Sequence, residues 1–379
     1  MDINEKRLTE NFISLVKIDS LSLEERDVAE YITEILKSMG CTVQFDDAGE
    51  KVGGNTGNLI ARLEGSLDVS PMLLCGHMDT VEPGKGVKPV LENGVIKSDG
   101  TTILGADDKS AIAIIIETLR VLKENDIQHG PLEIIFTICE EIGLLGAKNI
   151  NTDLFESDFG YILDTKDTKG IVVKAPSANN IEITVHGKSA HAGGAPENGI
   201  NAIYVAGLAL SKLTLGRIDE ETTCNIGVIE GGLATNIVPD KVVLKGEARA
   251  HDDKKLNEVT ESITKVFEEV AKELRESYDN GLPYVDINVI QDFPRTDVPH
   301  DHFAVLTAQK AASNLGYELK PAVVGGGSDS NIFFNNGIST TVLGTGMTDA
   351  HSVDESIKVS DMTDSVKLLL EIIKIHSKG

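Results

Sequence analysis

The stretch MLLCGHMDT, residues 72–80, is an apolar run that stops on His77 and Asp79. Hydrophobic strands ordinarily give way to turn residues rather than to metal-binding side chains. The same kind of ending recurs along the chain: Asp107 in LGADDKS, the Glu140–Glu141 pair in IIFTICEEIG, Asp164 in YILDT and His351 in TDAHSVDE. In an open α/β sheet, ligands gather outside the carboxyl ends of the strands. Runs that end in this way therefore converge on one crevice. One such ending can be accident; five together describe a hydrolytic site built for two metal ions.

Around these endings the first half of the chain alternates strand and helix signals, the pattern of a sheet layered with helices. Amphipathic helices are expected over residues 5–16 and 24–39, the second closed by Gly40 as a C-cap. Strands are expected over 58–63, 72–75, 132–139 and 161–163. Their nearly continuous apolar character is that of strands covered on both faces. The helix over 109–122 carries an Ile112–Ile116 cluster too apolar to face water on both sides.

The pattern changes near Ala175. IEITVHG (181–187) alternates with period two, as in a sheet with one solvated face. A helix over 200–213, strands over 222–229 and 242–248, a charged amphipathic helix over 254–274 and a strand over 284–290 follow. That order is β-α-β-β-α-β, the ferredoxin-like arrangement, and it reads as a domain inserted in the first. After Pro294 the α/β pattern resumes with a helix over 302–315, a GGGSDSN loop, a strand over 340–344 and a final helix over 359–376. The expected domains are 1–177 with 293–379, and 178–292.

A net charge of −25 excludes a nucleic-acid partner, whose phosphates need a basic surface; solubility and self-repulsion account for it. No apolar run reaches membrane-spanning or signal-peptide length. The four cysteines, Cys41, Cys75, Cys139 and Cys224, are widely spaced, and two sit within apolar strand runs. The expectation is buried free thiols in a reducing cytoplasm.

Each residue has a bland account beside the chemical one. His77 and Asp79 lie on one face of a strand end, where a hydrogen-bonded histidine is ordinary. In a metal site the same carboxylate would fix the imidazole tautomer. Asp107 and Asp108 precede a helix, where aspartate often serves as an N-cap. One of them, assigned as Asp107, can instead bridge two cations, leaving Asp108 to the loop or cap. Glu140 and Glu141 repel one another unless their work is divided, one as ligand and one as general base for the attacking water. Asp164 is the most ordinary of the set. His351, in a glycine-rich loop with few apolar neighbours, has little reason to be a core histidine. Mixed imidazole and carboxylate donors suit zinc, with cobalt or manganese as alternatives.

Taken together, GHMDT, LGADDKS, CEEIG, YILD and AHSVDE resemble the di-zinc exopeptidase family that includes peptidase T, carboxypeptidase G2 and the aminoacylases, and most of all its peptidase T-like members. The resemblance spans nearly the whole chain. It implies a three-layer α/β/α catalytic domain of zinc-exopeptidase type with an inserted lid and dimerisation domain. It implies two Zn²⁺ per chain, one held by His77, Asp107 and Asp164, the other by Asp107, Glu141 and His351. Asp79 would orient His77, and Glu140 would be the base. His191, in GKSAHAGGAPENGINAI, matches the lid histidine that helps stabilise the oxyanion, from the partner subunit in dimeric members. Asn236 in GGLATNIVPD and Arg249 in GEARAHD match substrate-contacting positions, the arginine on a substrate carboxylate.

Aspartate at position 164 implies an aminopeptidase or dipeptidase, glutamate being more usual in acylases and carboxypeptidases. Gly325 stands where peptidase T carries an arginine, which removes a bidentate carboxylate clamp and argues against strict tripeptide specificity. The leading expectation is a metallopeptidase that releases N-terminal residues from short peptides. The alternatives are an N-acyl amino acid hydrolase or carboxypeptidase with the same centre, and a degenerate metal-binding protein without catalysis. A homodimer through the lid domain is expected.

Overall fold

The computed structural model describes residues 3–278 and 281–378. The chain divides into two units, one comprising Met1–Lys174, Thr296–Val324 and Ser328–Gly379, the other Ala175–Arg295 with Gly325–Gly327.

The described residues of the larger unit carry a nine-stranded mixed sheet. Its centre runs in the order Leu132–Thr137, Met72–His77, Phe159–Leu163, Ser339–Leu343, and these four are mutually parallel. Every residue of the first three is buried, as their nearly continuous apolar runs require of strands covered on both faces. Leu59–Leu63 and Thr42–Phe45 continue the sheet antiparallel on one side. On the other, Gly170–Ala175 runs antiparallel to Ser339–Leu343 and pairs with Lys320–Val323.

The helix Ala106–Glu124 packs on Met72–His77 and is covered in turn by Glu5–Val16, Arg26–Met39 and Val359–His376. Ile112, Ile114, Ile115 and Ile116 are wholly inaccessible, which explains an apolar cluster that wraps the helix. Burying each such side chain contributes about 1.5–3 kcal/mol. These residues sit in one continuous core with Leu74, Ile134, Phe136 and Leu369. The expected α/β catalytic architecture is thus present.

The smaller unit has the sheet order Gly216–Asp219, Thr222–Gly231, Lys241–Ala250, Ser177–His186, Tyr284–Phe293, antiparallel throughout. The helices Ala202–Lys212 and Asp253–Arg275 pack on it around Ile183, Val185, Leu244 and Phe267. This is the expected β-α-β-β-α-β insert, with one extra edge strand and a ribbon pairing Ala190–His191 with Ile237–Val238.

Two local expectations are corrected. The GGGSDSN segment is a loop only as far as Ser328, which caps the helix Asp329–Asn335. The Ser328 hydroxyl accepts from Ser330 N–H, and Asn331 Oδ1 accepts from Ser328 N–H, a reciprocal cap. A hairpin of Val90–Glu92 and Val95–Lys97, joined by Ser356–Lys358, adds strands that the expected pattern lacks, because three residues leave too little alternation to read. Among the described residues no helix is long and apolar enough to cross a membrane.

Candidate metal centre

The site is assembled at the carboxyl ends of the parallel strands. His77 is the last residue of Met72–His77 and is almost fully buried. Its Nδ1 lies 3.0 Å from the Asp79 carbonyl oxygen and 3.3 Å from Asp79 Oδ1, so this nitrogen carries the proton. Nε2 lies 3.0 Å from Asp107 Oδ1, close enough to share a proton with it, and a cation between the two would take the place of that proton. Gly76 must lack a side chain, since a Cβ there would stand 2.7 Å from Asp108 Oδ2 and 2.8 Å from Ala111 Cβ. The strand and the helix below it meet at that point.

Asp107 and Asp108 lie at the mouth of Ala106–Glu124, but neither has helical backbone angles and neither caps it; the N-cap residue is Gly105, at φ 77°. Asp108 has a different role from the loop or capping one expected. It is buried, and its Oδ2 accepts the His77 backbone N–H at 3.1 Å, tying the helix entrance to the strand end. Asp107 faces the other way and divides its carboxylate: Oδ1 to His77 Nε2, Oδ2 to His351 Nε2 at 3.3 Å. A carboxylate with one oxygen toward each imidazole is the arrangement that bridging needs.

Asp79 does more than orient His77. Its Oδ1 accepts the Glu140 N–H at 2.9 Å, and Oδ2 accepts the Glu141 N–H at 3.2 Å and the Ser22 hydroxyl at 2.6 Å. Burial would raise its pKa, but the bonds from His77, Ser22 and Glu140 N–H keep it below the usual value and therefore ionised. Glu25, also buried, accepts from the Cys139 N–H at 3.0 Å and from its thiol at 3.2 Å. Cys139 stands at φ 52°, a left-handed conformation that a cysteine seldom adopts. Glu25 and Asp79 thus hold the turn that presents Glu140 and Glu141.

Glu141 Oε1 lies 2.8 Å from His351 Nε2. Three donor groups each gather within 4.8 Å: His77 with Asp107 and Asp164, His77 with Glu140 and Glu141, and Asp107 with Glu141 and His351. The first and third are the two ligand sets expected from the sequence, sharing Asp107.

So many carboxylates at close quarters disturb one another. Burial pushes Glu140 and Asp164 well above the carboxylate range; Asp164 adds to the rise of Glu140 and Asp107 to that of Asp164, and Glu141 and Asp329 add to both, against the pull of His77. His351 rises to about 10 through its bonds to Asp107 and Glu141. Burial acts to lower His77, but Asp107 and Asp79 hold it well above its ordinary value. The groups relieve their mutual repulsion by sharing protons, and divalent cations would relieve it more completely. The donor set therefore fits two metal ions. Asp329 extends the acidic cluster; burial raises its pKa to about 6, and its Oδ2 accepts from the Thr137 hydroxyl at 2.5 Å.

His191, Asn236 and Arg249 belong to the smaller unit. His191 is exposed, and its Nδ1 accepts from Gly193 N–H at 3.2 Å and Gly194 N–H at 3.0 Å, which leaves the proton on Nε2. Asn236 lies beside it in the ribbon, its carbonyl accepting the Ala192 N–H at 2.9 Å. Arg249 pairs with Glu247 at 2.9 Å, donates to the Gly325 carbonyl at 3.3 Å and lies over the Phe293 ring.

Comparison with known proteins decides the family. Residues 73–375 match the model of peptidase family M20/M25/M40. The chain belongs to that family. This M20 member is peptidase T-like. Peptidase T of Clostridium perfringens is 28% identical over 98% of this chain and all of its own length. Two solved structures cover 100% of both chains at 38% identity: a tripeptidase from Staphylococcus aureus, with a TM-score of 0.94, and aminopeptidase PepT from Bacillus cereus, with a TM-score of 0.91. The M20 chain is accordingly a peptide hydrolase.

Proposed function

We propose that this M20 peptidase is a zinc-dependent aminopeptidase that releases N-terminal residues from short peptides, tripeptides among them. The observation that carries the reading is Asp107, shared between a His77 and a His351 donor set, with Glu140 beside them and outside both. The names of the 38% identical relatives, an aminopeptidase and a tripeptidase, support cleavage from the amino end.

His77, Asp107 and Asp164 would hold one cation, and Asp107, Glu141 and His351 the other. Two divalent cations there supply electrophilic polarisation of the scissile carbonyl and favour ionisation of the attacking water. The protein's own groups do the rest. Glu140, its proton affinity raised by burial, accepts a proton from that water as oxygen adds to the carbonyl carbon. It returns the proton to the amide nitrogen as the C–N bond breaks and the amine leaves. His191 would offer its Nε2–H to the developing oxyanion, the tautomer being set by the two glycine amides.

The preferred test is a panel of free-amine dipeptides and tripeptides against N-acylated amino acids and substrates blocked at the amino end, with zinc, cobalt and manganese forms compared. Turnover confined to free-amine substrates is expected. Preference for N-acyl or N-blocked substrates would instead identify an acylase or carboxypeptidase.

A homodimer through the smaller unit is part of the proposal. The strand Thr222–Gly231 has an outer partner only at Thr222, Thr223 and Cys224 among the described residues. Beyond them Val228 and Ile229 are 41% and 53% exposed, and the adjoining helix exposes Ile203 and Tyr204. A bare edge beside apolar side chains suits pairing with a second copy. If His191 acts across that pair, mixing His77→Ala with His191→Ala protein should restore partial activity, since one site per mixed dimer is intact. No recovery despite demonstrated subunit exchange would confine His191 to its own chain or remove it from catalysis. Four free, buried cysteines fit the reducing cytoplasm proposed as its compartment.

A further inference from the structure

Glu355, four residues beyond His351, is completely buried, and its carboxylate is given over to backbone amides. Oε2 accepts from Leu104 N–H and Gly105 N–H, both at 2.7 Å, and Oε1 accepts from Asp107 N–H at 2.9 Å. The loop that carries it is closed by reciprocal bonds between Thr348 and Ser356. Its base is anchored by the Ser98 N–H on the Glu355 carbonyl, at 3.1 Å. From inside this loop two side chains reach the same turn, which is distant in sequence. His351 reaches the Asp107 carboxylate, and Glu355 reaches the amide of the same residue and of the two residues before Ala106.

We propose that Glu355 is a positioning residue that locks the Asp107 turn to the His351 loop, keeping one Asp107 oxygen toward His77 and the other toward His351, the disposition that would let a second metal ion bind tightly. The inference rests on the paired-metal reading above. The turn needs such support because it is irregular: Gly105 is left-handed, and Asp107 and Asp108 both leave helical geometry. Nothing in the helix itself holds these amides, as no side chain caps it. A charged acceptor binds amides more strongly than a neutral one, and three of them offset much of the cost of burying the charge. Glutamine cannot replace it. With its oxygen on Leu104 and Gly105, its amide nitrogen would face the Asp107 N–H, donor against donor, at the bridging residue.

The test uses full-length Glu355→Gln, stripped of metal and titrated with zinc against a competing chromophoric chelator, alongside wild type. Glu133→Gln serves as a structural control, because Glu133 is likewise buried on the amides of Glu156 and Ser157 but lies outside the site. Wild type and Glu133→Gln should take two equivalents. Glu355→Gln should keep the first and bind the second about 10–100-fold more weakly, the usual effect of losing a partner behind a ligand. The absorption spectrum of its cobalt form should change, and kcat should fall with KM nearly constant. If the glutamine variant does not fold, Glu355→Asp, which keeps the charge but lacks the reach, is read in the same titration. Wild-type affinity for both equivalents in whichever variant folds overturns the role of Glu355. Fewer than two equivalents in wild type overturns the paired centre itself.

Discussion

Glu140→Gln should lower kcat by about 10²–10⁴-fold while both metals stay bound. The change keeps the size and shape of the side chain and removes only its capacity to take a proton. The backbone amide that fixes the residue remains on Asp79 Oδ1, and Glu141 keeps its separate hold on Asp79 Oδ2 and its contact with His351. Metal analysis should therefore return the wild-type content alongside the lost turnover. The pH profile sharpens the test. The wild-type rate should fall as the pH drops and the base is protonated. The residual rate of the variant should lack that limb. Ordinary turnover in Glu140→Gln would pass the base function to another group.

Asp107→Asn should loosen both metals by more than the 10–100-fold or so expected of a residue behind the ligands. Asparagine offers one acceptor oxygen where Asp107 offers two, so it can face His77 or His351 but not both. It also removes a negative charge common to the two donor sets. Asp108→Asn is the matching comparison. Its carbonyl oxygen can still accept the His77 N–H, so both metals should be retained. Dialysis against graded chelator followed by metal analysis separates the two variants. Equal losses would mean that the division of labour between the adjacent aspartates is wrong.

That division marks the limit of what the sequence discloses. Apolar runs that stop on His77, Glu140 and Asp164 could be read directly, because strand burial and strand ending are local properties. The wholly apolar circumference of Ile112–Ile116 told of a covered helix for the same reason. The roles of the supporting residues are not local. Glu25 grips Cys139 across 114 positions, and Glu355 grips Gly105 across 250. Neither bond imposes a period or a spacing on the chain between. Glu355 lies within AHSVDE and Asp329 within GGGSDSN, so proximity to those motifs is the available signal. For Glu25 and Ser22 there is none. The spacing of Asp79 to His77 discloses one of its tasks, while its hold on the Glu140 and Glu141 amides depends on how two strand ends lie side by side.

The position of Ser339–Leu343 in the large sheet has a consequence for biosynthesis. It lies between Phe159–Leu163 and Gly170–Ala175, with Leu343 opposite Leu163 on one side and Ile171 on the other. A ribosome releases both neighbours, and the whole of the smaller unit, before that strand is made. The smaller unit is almost contiguous and can fold as it emerges. The central sheet cannot: a slot one strand wide stays open, with backbone donors and acceptors bare on both sides, until the last segment arrives. The same segment brings His351 and Glu355. Closure of the sheet and arrival of the His351 loop are therefore one late event in the life of the nascent chain.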